Sequence, residues 1–468
     1  MIGDLKPYSD YKDAGLPWLG QVPAHWDLRP AFGAYEPNRE LNRGMKEKTV
    51  LSLSYGRIII KPPEKLRGLV PESFETYQIV NPGDLVLRTT DLQNDHTSLR
   101  VGIVRDRGII TSAYLALHVK PDVLPEFGFQ FLNVWDASKA IYGYGSGLRQ
   151  NLDFSHFKRM PVAVPPEAEQ AAIVRFLDWA NGRLDRAIRA KRKVIALLNE
   201  QKQAIIHRVV TRGLDPDVPL KPSGIPWLGD IPHHWEVRRA KQLCKAIIDC
   251  KNRTPELVDG GDYTVVRTTN IRNGRFNPKG SFPTDRSNYA IWTQRGAPRQ
   301  GDVFFTREAP VGEACLVPNL GNLCMGQRMM YFRPDTAALN ANFLLHSIYG
   351  PIVRRYIEIE VNGSTVGHLR LGQVTGLPLL WCPVDEQERI VSFVETESRP
   401  IDVTISRLER EIELLREYRT RLVADIVTGK LDVRDAAAQL PAEVAPEAVE
   451  DEAEIVDELD AEAEDAAV

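Results

Sequence analysis

The stretch KDAGLPWLGQVPAHWDLR, residues 12–29, returns as KPSGIPWLGDIPHHWEVR, residues 221–238. We call these stretches the first and second Trp box. Repeats of this kind decide the architecture of a chain. Matches that include the rare residues Trp and Pro at a constant offset of 209 do not arise by chance. The sequence therefore contains an internal duplication, and we expect two related halves.

Two further pairs of segments support the duplication. PVAVPPEAEQAAIVRFLDWANGRLDRAI begins at Pro161, and PLLWCPVDEQERIVSFVETESRPIDVTI begins at Pro378. The closing boxes, VVTRGLD at 209–215 and IVTGKLD at 426–432, share an offset of 217. Each half thus has a Trp box, a variable region, a helical segment and a closing box. A chain of 468 residues also exceeds what one hydrophobic core usually supports.

The helical segments carry an apolar seam whose residues step by four and three in alternation, the pattern of a coiled coil. The seam residues are Leu184, Ile188, Ile195, Leu198, Ile205 and Val209 in the first half and Ile401, Ile405, Leu408, Ile412, Leu415, Leu422 and Ile426 in the second, with Lys191, Lys202 and Arg419 also in the stripe. Each long helix should span about 27 residues, roughly 40 Å. A shorter helix should precede each one, ending at Asn181-Gly182 or at Pro400. The alternative is two unrelated helices, each packed on its own domain.

The variable regions predict mixed α and β structure. Short β-rich runs lie between turn residues, at 49–61, 84–90, 100–104 and 114–120, then at 263–271, 302–308, 314–318 and 328–334. Helices are expected near 127–141 and 341–359. The predicted fold class is α+β, with two globular α/β domains separated by two long antiparallel coiled-coil helices and related by an approximate two-fold axis.

The predicted domains follow the repeat. They are a first recognition domain at 1–160, a central helical region at 161–215, a second recognition domain at 216–377, a C-terminal helical region at 378–433 and an acidic disordered tail at 434–468. Between Glu443 and Asp465 the chain has twelve acids and no Lys or Arg, so the net charge of -4 leaves +8 on the rest. The tail either keeps the protein soluble or competes with nucleic acid for a basic body.

Composition and motifs exclude several classes of function. No apolar run is long enough for a membrane span and no signal peptide is evident, so we expect a cytoplasmic protein. The five cysteines form no CxxC pair and indicate reduced core thiols, with no structural metal. No phosphate-binding loop or catalytic motif is found. His25 and His234 precede Trp in the duplicated boxes, and we expect them to be packed, hydrogen-bonded structural residues.

The Trp boxes, the helices that begin at Glu169-Gln170 and Glu386-Gln387, and the closing boxes together resemble the specificity (S) subunit of type I restriction-modification enzymes. The resemblance covers nearly the whole chain up to about Val433. It implies two recognition domains that each read half of a bipartite DNA target, and no catalytic centre. It also implies two modification subunits that use S-adenosylmethionine, and restriction subunits that use ATP and magnesium. No cofactor is expected on this chain.

Base reading favours Arg and Lys for guanine and Asn and Gln for adenine. The predicted DNA-binding residues are Arg88, Thr89, Thr90, Gln93, Asn94, Tyr142, Tyr144, Arg149 and Gln150 in the first domain, and Arg267, Asn270, Arg272, Asn273, Arg307, Gln327, Arg328, Ser364, His368 and Arg370 in the second. Two other functions stay open at this stage. One is a coiled-coil protein scaffold without a DNA role, and the other is a DNA-modifying enzyme with its own active site.

Overall fold

The computed structural model of the chain describes residues 5–54, 56–62, 73–90, 92, 99–144, 151–361 and 367–441. These residues form two compact units. The first unit comprises residues 5–191 and 409–441, and the second comprises residues 192–408. The mixed α/β class predicted from the sequence is confirmed, with long helices beside short strands.

The first unit contains a sheet with strand order β4-β11-β8-β9, smaller strand pairs and short helices. Its strands are β1 (Tyr11–Asp13), β2 (Gln21–Pro23), β3 (Asp27–Pro30), β4 (Tyr35–Pro37), β5 (Leu51–Ser54), β6 (Arg57–Ile60), β7 (Gln78–Val80), β8 (Leu85–Arg88), β9 (Val101–Ile103), β10 (Gly108–Ile110), β11 (Tyr114–Val119) and β12 (Pro161–Val164). Its short helices are α1 (Ala31–Ala34), α2 (Pro125–Ala137) and α3 (Phe154–Phe157), with a 3-10 helix at Ala140–Tyr144. The strand pair β12-β3 joins the first Trp box to the segment before the long helix.

The second unit repeats this plan in a sheet with strand order β16-β24-β21-β22. Its strands are β13 (Leu220–Pro222), β14 (Asp230–Pro232), β15 (Glu236–Arg239), β16 (Cys244–Asp249), β17 (Tyr263–Val266), β18 (Ile271–Arg272), β19 (Arg275–Phe276), β20 (Phe282–Thr284), β21 (Val303–Thr306), β22 (Ala314–Leu316), β23 (Leu323–Met325), β24 (Met329–Pro334) and β25 (Pro378–Trp381). Its short helices are α5 (Ala240–Leu243), α6 (Arg286–Trp292), α7 (Ala341–Ile348), α8 (Pro351–Val361) and α9 (Leu371–Thr375), with a 3-10 helix at Thr268–Asn270.

Two helices are much longer than the rest: α4 runs from Glu167 to Arg212 and α10 from Val384 to Val427. The predicted breaks at Asn181-Gly182 and at Pro400 are wrong, because both helices continue through these residues. A Gly inside a helix costs only about 1 kcal/mol relative to Ala. The burial of apolar neighbours such as Ala180 and Leu184 outweighs that cost. Pro400 is exposed, so water can solvate the backbone carbonyl that it leaves without a helix bond.

The helices pair in antiparallel order. In the first unit Asp185 pairs with Arg419 at 2.7 Å and Lys191 pairs with Glu411 at 2.5 Å, so residue numbers rise along α4 as they fall along α10. In the second unit Lys202 donates to Asp402 at 2.8 Å. Every predicted seam residue is buried or half-buried, and Val209 and Ile426 are fully buried. The alternative of unrelated helices is therefore wrong.

Each unit has its own aromatic core. Trp26, Phe127, Trp135 and Phe176 are fully buried in the first. In the second, Trp235 and Phe343 are fully buried beside Ile390 and Val394 of α10. Both cores therefore combine a Trp box, a variable region and part of a long helix.

The predicted tail at 434–468 begins too early. Residues Arg434–Ala438 form α11, and Ala437 and Leu440 are 3% and 5% exposed in the core of the first unit. Arg175 donates to the backbone oxygen of Leu440 at 2.8 Å. Burial of these apolar side chains makes residues 434–440 part of the folded first unit. The acidic composition of the region had placed them in the tail. Residues 442–468 lie outside the described residues.

The cysteines agree with the prediction of reduced core thiols. All of them fall in the described part of the chain, and each is a free thiol there. Cys250, Cys315, Cys324 and Cys382 are buried, and burial raises the pKa of the Cys315 and Cys324 thiols to about 12. In that same part of the chain no helix has the length and apolar character needed to cross a bilayer.

Candidate nucleic-acid interface

Several of the predicted DNA-binding residues in the described part of the chain lie at the same end of the main sheet in both units. We call this end the sheet pole, the end at which β8 or β21 finishes and β11 or β24 begins. At the first pole the amide of Leu152 donates to the oxygen of Thr89 at 2.8 Å, and at the second the amide of Leu369 donates to that of Arg307 at 3.1 Å. The duplication therefore extends to the backbone bonds that bring distant segments together at each pole.

A fully buried arginine, Arg100, organises the pole of the first unit. Its guanidinium donates to the backbone oxygens of Arg88 at 3.2 Å and Thr90 at 3.0 Å. The guanidinium carbon lies 5.6 Å from the ring centroid of Tyr142, and the amide of Arg100 donates to Asp136 at 2.7 Å. Arg100 thus joins the segment after β8 to the 3-10 helix, two parts that the sequence predicted as separate contact regions.

The outcome differs among the other residues predicted in the first domain. Tyr144 packs against Trp135 with ring centroids 5.5 Å apart, and burial raises the pKa of its phenol. Thr89 is 6% exposed, so we withdraw it as a base contact and keep Arg88 and Thr90 as predictions. The predictions that lie outside the described residues are Gln93, Asn94, Arg149, Gln150 and, in the second domain, Ser364.

The second pole forms a polar cavity lined by Asn252, Arg307, Glu308, Gln327, Arg328 and His368. The amide of Arg307 donates to the oxygen of Arg328 at 2.9 Å, which ties the end of β21 to the turn before β24. Arg307 is 7% exposed, and its Nε lies 3.4 Å from an oxygen of Asp249. Glu308 pairs with Arg328 at 2.9 Å and contacts Nδ1 of His368 with its other oxygen.

A second group of predicted residues lies around the 3-10 helix at 268–270. Asn270 is fully buried, accepts from the amide of Arg267 at 2.7 Å and donates to the oxygens of Asn277 and Lys279, each at 2.8 Å. Both of its amide hydrogens hold its own loop, so Asn270 is withdrawn as a base-reading residue. Arg272 donates to the oxygen of Ile271 at 3.0 Å.

Two further predictions in the second unit have accessible side chains. Asn273 is exposed, with a positive φ of 49°, and its amide donates to Glu313 at 2.5 Å. Arg370 is exposed at the residue before α9. Together with Arg267 and Arg272 they stay predictions.

Sequence reasoning missed Arg100, Glu308, Asp249 and Glu313. Each contacts partners that are far away in sequence. Arg100 and Asp136, for example, are 36 positions apart. The available signals were weak: an Arg before the apolar run VGIV, and acids beside predicted strand ends.

The paired histidines are hydrogen-bonded, as predicted, but they are not packed, because their side chains are 42% and 46% exposed. Nε2 of His25 contacts Glu169 at 2.8 Å, and Nε1 of Trp26 donates to the same carboxylate at 2.8 Å. His234 and Trp235 contact Glu386 in the same way, at 2.8 and 3.1 Å. We call each such cluster a Trp-box latch, because it fastens a Trp box to the first turn of a long helix.

The closing box of each half packs against the Trp box of the other half. Gly429, in the closing box of the second half, has φ +75°, and a Cβ there would lie 2.2 Å from Pro23 of the first Trp box. Gly213, in the closing box of the first half, packs beside Trp235 of the second Trp box. Each unit is therefore built from both halves of the repeat.

In the described residues, no group of three or more His, Cys, Asp or Glu side chains is arranged to hold a metal ion. The poles instead present guanidinium, amide and hydroxyl groups, which suit contacts with base edges and phosphates.

Comparisons with known proteins give the class of this architecture. Residues 232–414 match the Methylase_S family, the type I restriction modification DNA specificity domain. A putative type I restriction enzyme MjaX specificity subunit from Methanocaldococcus jannaschii is 20% identical over 288 residues, 61% of this chain. The match spans 63% of that relative, slightly under two thirds of its length.

Solved structures extend the likeness to the fold. A chain from a structural study of complex assembly and conformational transition of the type I R-M system has a TM-score of 0.57 at 15% identity, covering 88% of this chain and 99% of that one. The HsdS subunit from Thermoanaerobacter tengcongensis is 16% identical with a TM-score of 0.39, covering 88% of this chain and 98% of that one. The first of these shares the fold, whereas the second score is too low to carry an argument.

Residues 232–414 are therefore similar to the type I restriction modification DNA specificity domain. The resemblance to type I specificity subunits that its repeated motifs indicated is confirmed.

Proposed function

We propose that this chain reads a bipartite, asymmetric DNA target as the sequence-recognition subunit of a type I restriction-modification complex. One observation carries the proposal: equivalent poles of two duplicated sheets bear different polar side chains. Arg88 ends β8 and Thr90 lies two residues beyond it, whereas Arg307 and Glu308 follow β21 at the equivalent pole. Related frameworks with unlike reading groups suit a target whose two halves differ.

The proposal includes partners that supply the chemistry. Two modification subunits would use S-adenosylmethionine to methylate adenine, and restriction subunits would use ATP and magnesium. Exposed apolar side chains on the long helices support docking, since Leu414 and Tyr418 are 47% and 42% exposed one turn apart on α10. This chain would contribute recognition and assembly without catalysis of its own.

The test is to express the full chain with the modification subunit of its own system and to sequence methylated adenines in the host DNA. We expect one motif made of two unlike half-sites separated by a fixed gap. Cells that express the modification subunit alone are the control and should lack the motif. Methylation independent of this chain, or methyl transfer by the purified chain alone, would contradict the proposal. A scaffold without a DNA role would leave the methylation pattern unchanged.

A further inference from the structure

We propose that Arg328 reads a guanine in the half-site of the second domain, and that Glu308 is the positioning residue that aligns it. The inference rests on the proposed function and deepens it, because it assigns one base to one side chain. It starts from the polar cavity at the second pole, which brings together four segments that are separate in sequence.

Glu308 holds one edge of the arginine. Its carboxylate pairs with Nε of Arg328 at 2.9 Å, and its other oxygen contacts His368. The Glu308 side chain is 19% exposed, whereas that of Arg328 is 45% exposed. A guanidinium anchored through Nε keeps its terminal nitrogens as a pair of donors. That pair matches O6 and N7 of guanine in the major groove.

The backbone at Arg328 also indicates a functional role. Its φ is +69°, in the left-handed region that residues other than Gly rarely adopt. The surrounding structure enforces this conformation, because the amide of Arg307 donates to the Arg328 oxygen at 2.9 Å and the amide of Gln327 donates to Thr254 at 3.3 Å. Strained backbone conformations of this kind cluster at functional sites, where they fix the orientation of a side chain.

The charges in the cavity favour a base edge over a phosphate. Glu308 lies beside Arg328, and Asp249 lies 3.4 Å from the buried Arg307, so each arginine has a carboxylate neighbour. Carboxylates repel a phosphate group, whereas a base edge carries only partial charges. Arg307 is 7% exposed, and among the described residues its Nε has no hydrogen-bond partner of good geometry. Arg307 therefore lines the cavity as a buried group, and Arg328, with a side chain 45% exposed, is the arginine that a base can reach.

The experiment enriches random DNA duplexes on the full chain assembled with its modification subunit. Arg328→Gln should abolish the preference for guanine at one position of one half-site, a loss of about tenfold to a hundredfold in discrimination. Arg328→Lys, which keeps the charge but not the fork, should lose most of it. Glu308→Gln should weaken the preference at that position only. The control is Arg389→Gln, an arginine paired with Asp385 at 4.0 Å on α10, which should leave the motif unchanged.

The outcomes separate this inference from the proposed function. If the wild-type complex enriches no motif, the proposed function fails first. If the wild type enriches a motif that Arg328→Gln and Arg328→Lys both preserve, the inference alone is overturned. If Arg328 contacted a phosphate, its substitution would instead weaken binding to all sequences equally. The slope of the logarithm of the binding constant against the logarithm of salt concentration would also fall by about one. Effects at several positions of both half-sites would show a general structural role and would also overturn it.

Discussion

Glu169 and Glu386 show how the duplication acts through single residues. The Glu169 side chain is 4% exposed and accepts hydrogen bonds from Tyr8 at 2.6 Å and Trp26 at 2.8 Å while contacting His25. Burial, followed by the hydrogen bond to Glu169, holds the pKa of Tyr8 far above its ordinary value. The phenol is therefore a constant donor, and the carboxylate is its required acceptor.

Removing this acceptor should destabilise the first unit. Glu169→Ala leaves the buried donors of Tyr8 and Trp26 without their acceptor, and we expect the free energy of unfolding to fall by about 3 kcal/mol. Glu169→Gln keeps one acceptor and should cost less. Urea denaturation followed by tryptophan fluorescence measures both. Glu167→Ala, exposed in the same helical turn, is the control and should stay within about 0.5 kcal/mol of wild type. Equal losses for the Glu167 and Glu169 variants would contradict the latch.

Residues differ in how far the sequence reveals their roles. The repeated His-Trp and Glu-Gln pairs are visible in the sequence because duplication marks them, although their mutual contact is not. Arg100 and Glu308 each occur in one domain only, so no repeat marks them, and their partners are set by tertiary packing. Asn270 shows the converse error, since an Asn suited to adenine is used to hold its own loop.

At the scale of elements, the long helices could be predicted because a heptad pattern is a local signal. Their ends could not, because propensity assigned breaks at Gly182 and Pro400 where tertiary packing keeps both helices continuous. Pro400 cannot donate to the carbonyl of Thr396, and its own carbonyl accepts from the Thr404 hydroxyl at 2.8 Å. The seam on either side supplies the stability that the proline removes.

Pro400→Ala should therefore stabilise α10. A proline inside a helix costs about 3 kcal/mol relative to Ala, and the more flexible unfolded chain of the variant offsets up to about 1 kcal/mol of the gain. We expect a net increase of about 2 kcal/mol in the free energy of unfolding. Circular dichroism during thermal unfolding measures it, with the neighbouring exposed Arg399→Ala as control. A lower melting temperature for Pro400→Ala would show that the helix requires the proline.

At the scale of the whole molecule, the paired helices are proposed to set the gap between the two half-sites. Deleting residues 193–199 together with 404–410 removes one heptad from each helix. The deletion keeps the ion pairs Asp185–Arg419, Lys191–Glu411 and Lys202–Asp402. Seven residues are almost two full turns, so the seam should re-form with a rotation of about 20°.

The paired helices α4 and α10 shorten by about 10 Å, which corresponds to the length of about three base pairs of DNA. Methylation sequencing of cells with the double deletion and the modification subunit should show the original bases in both half-sites and a gap about three base pairs shorter. Deleting residues 193–199 alone is the matched control. It leaves Ile405 and Leu408 of α10 without their seam partners, so no fixed motif should be methylated. A double deletion that still methylates the wild-type gap would mean that the recognition domains are spaced by something other than these helices.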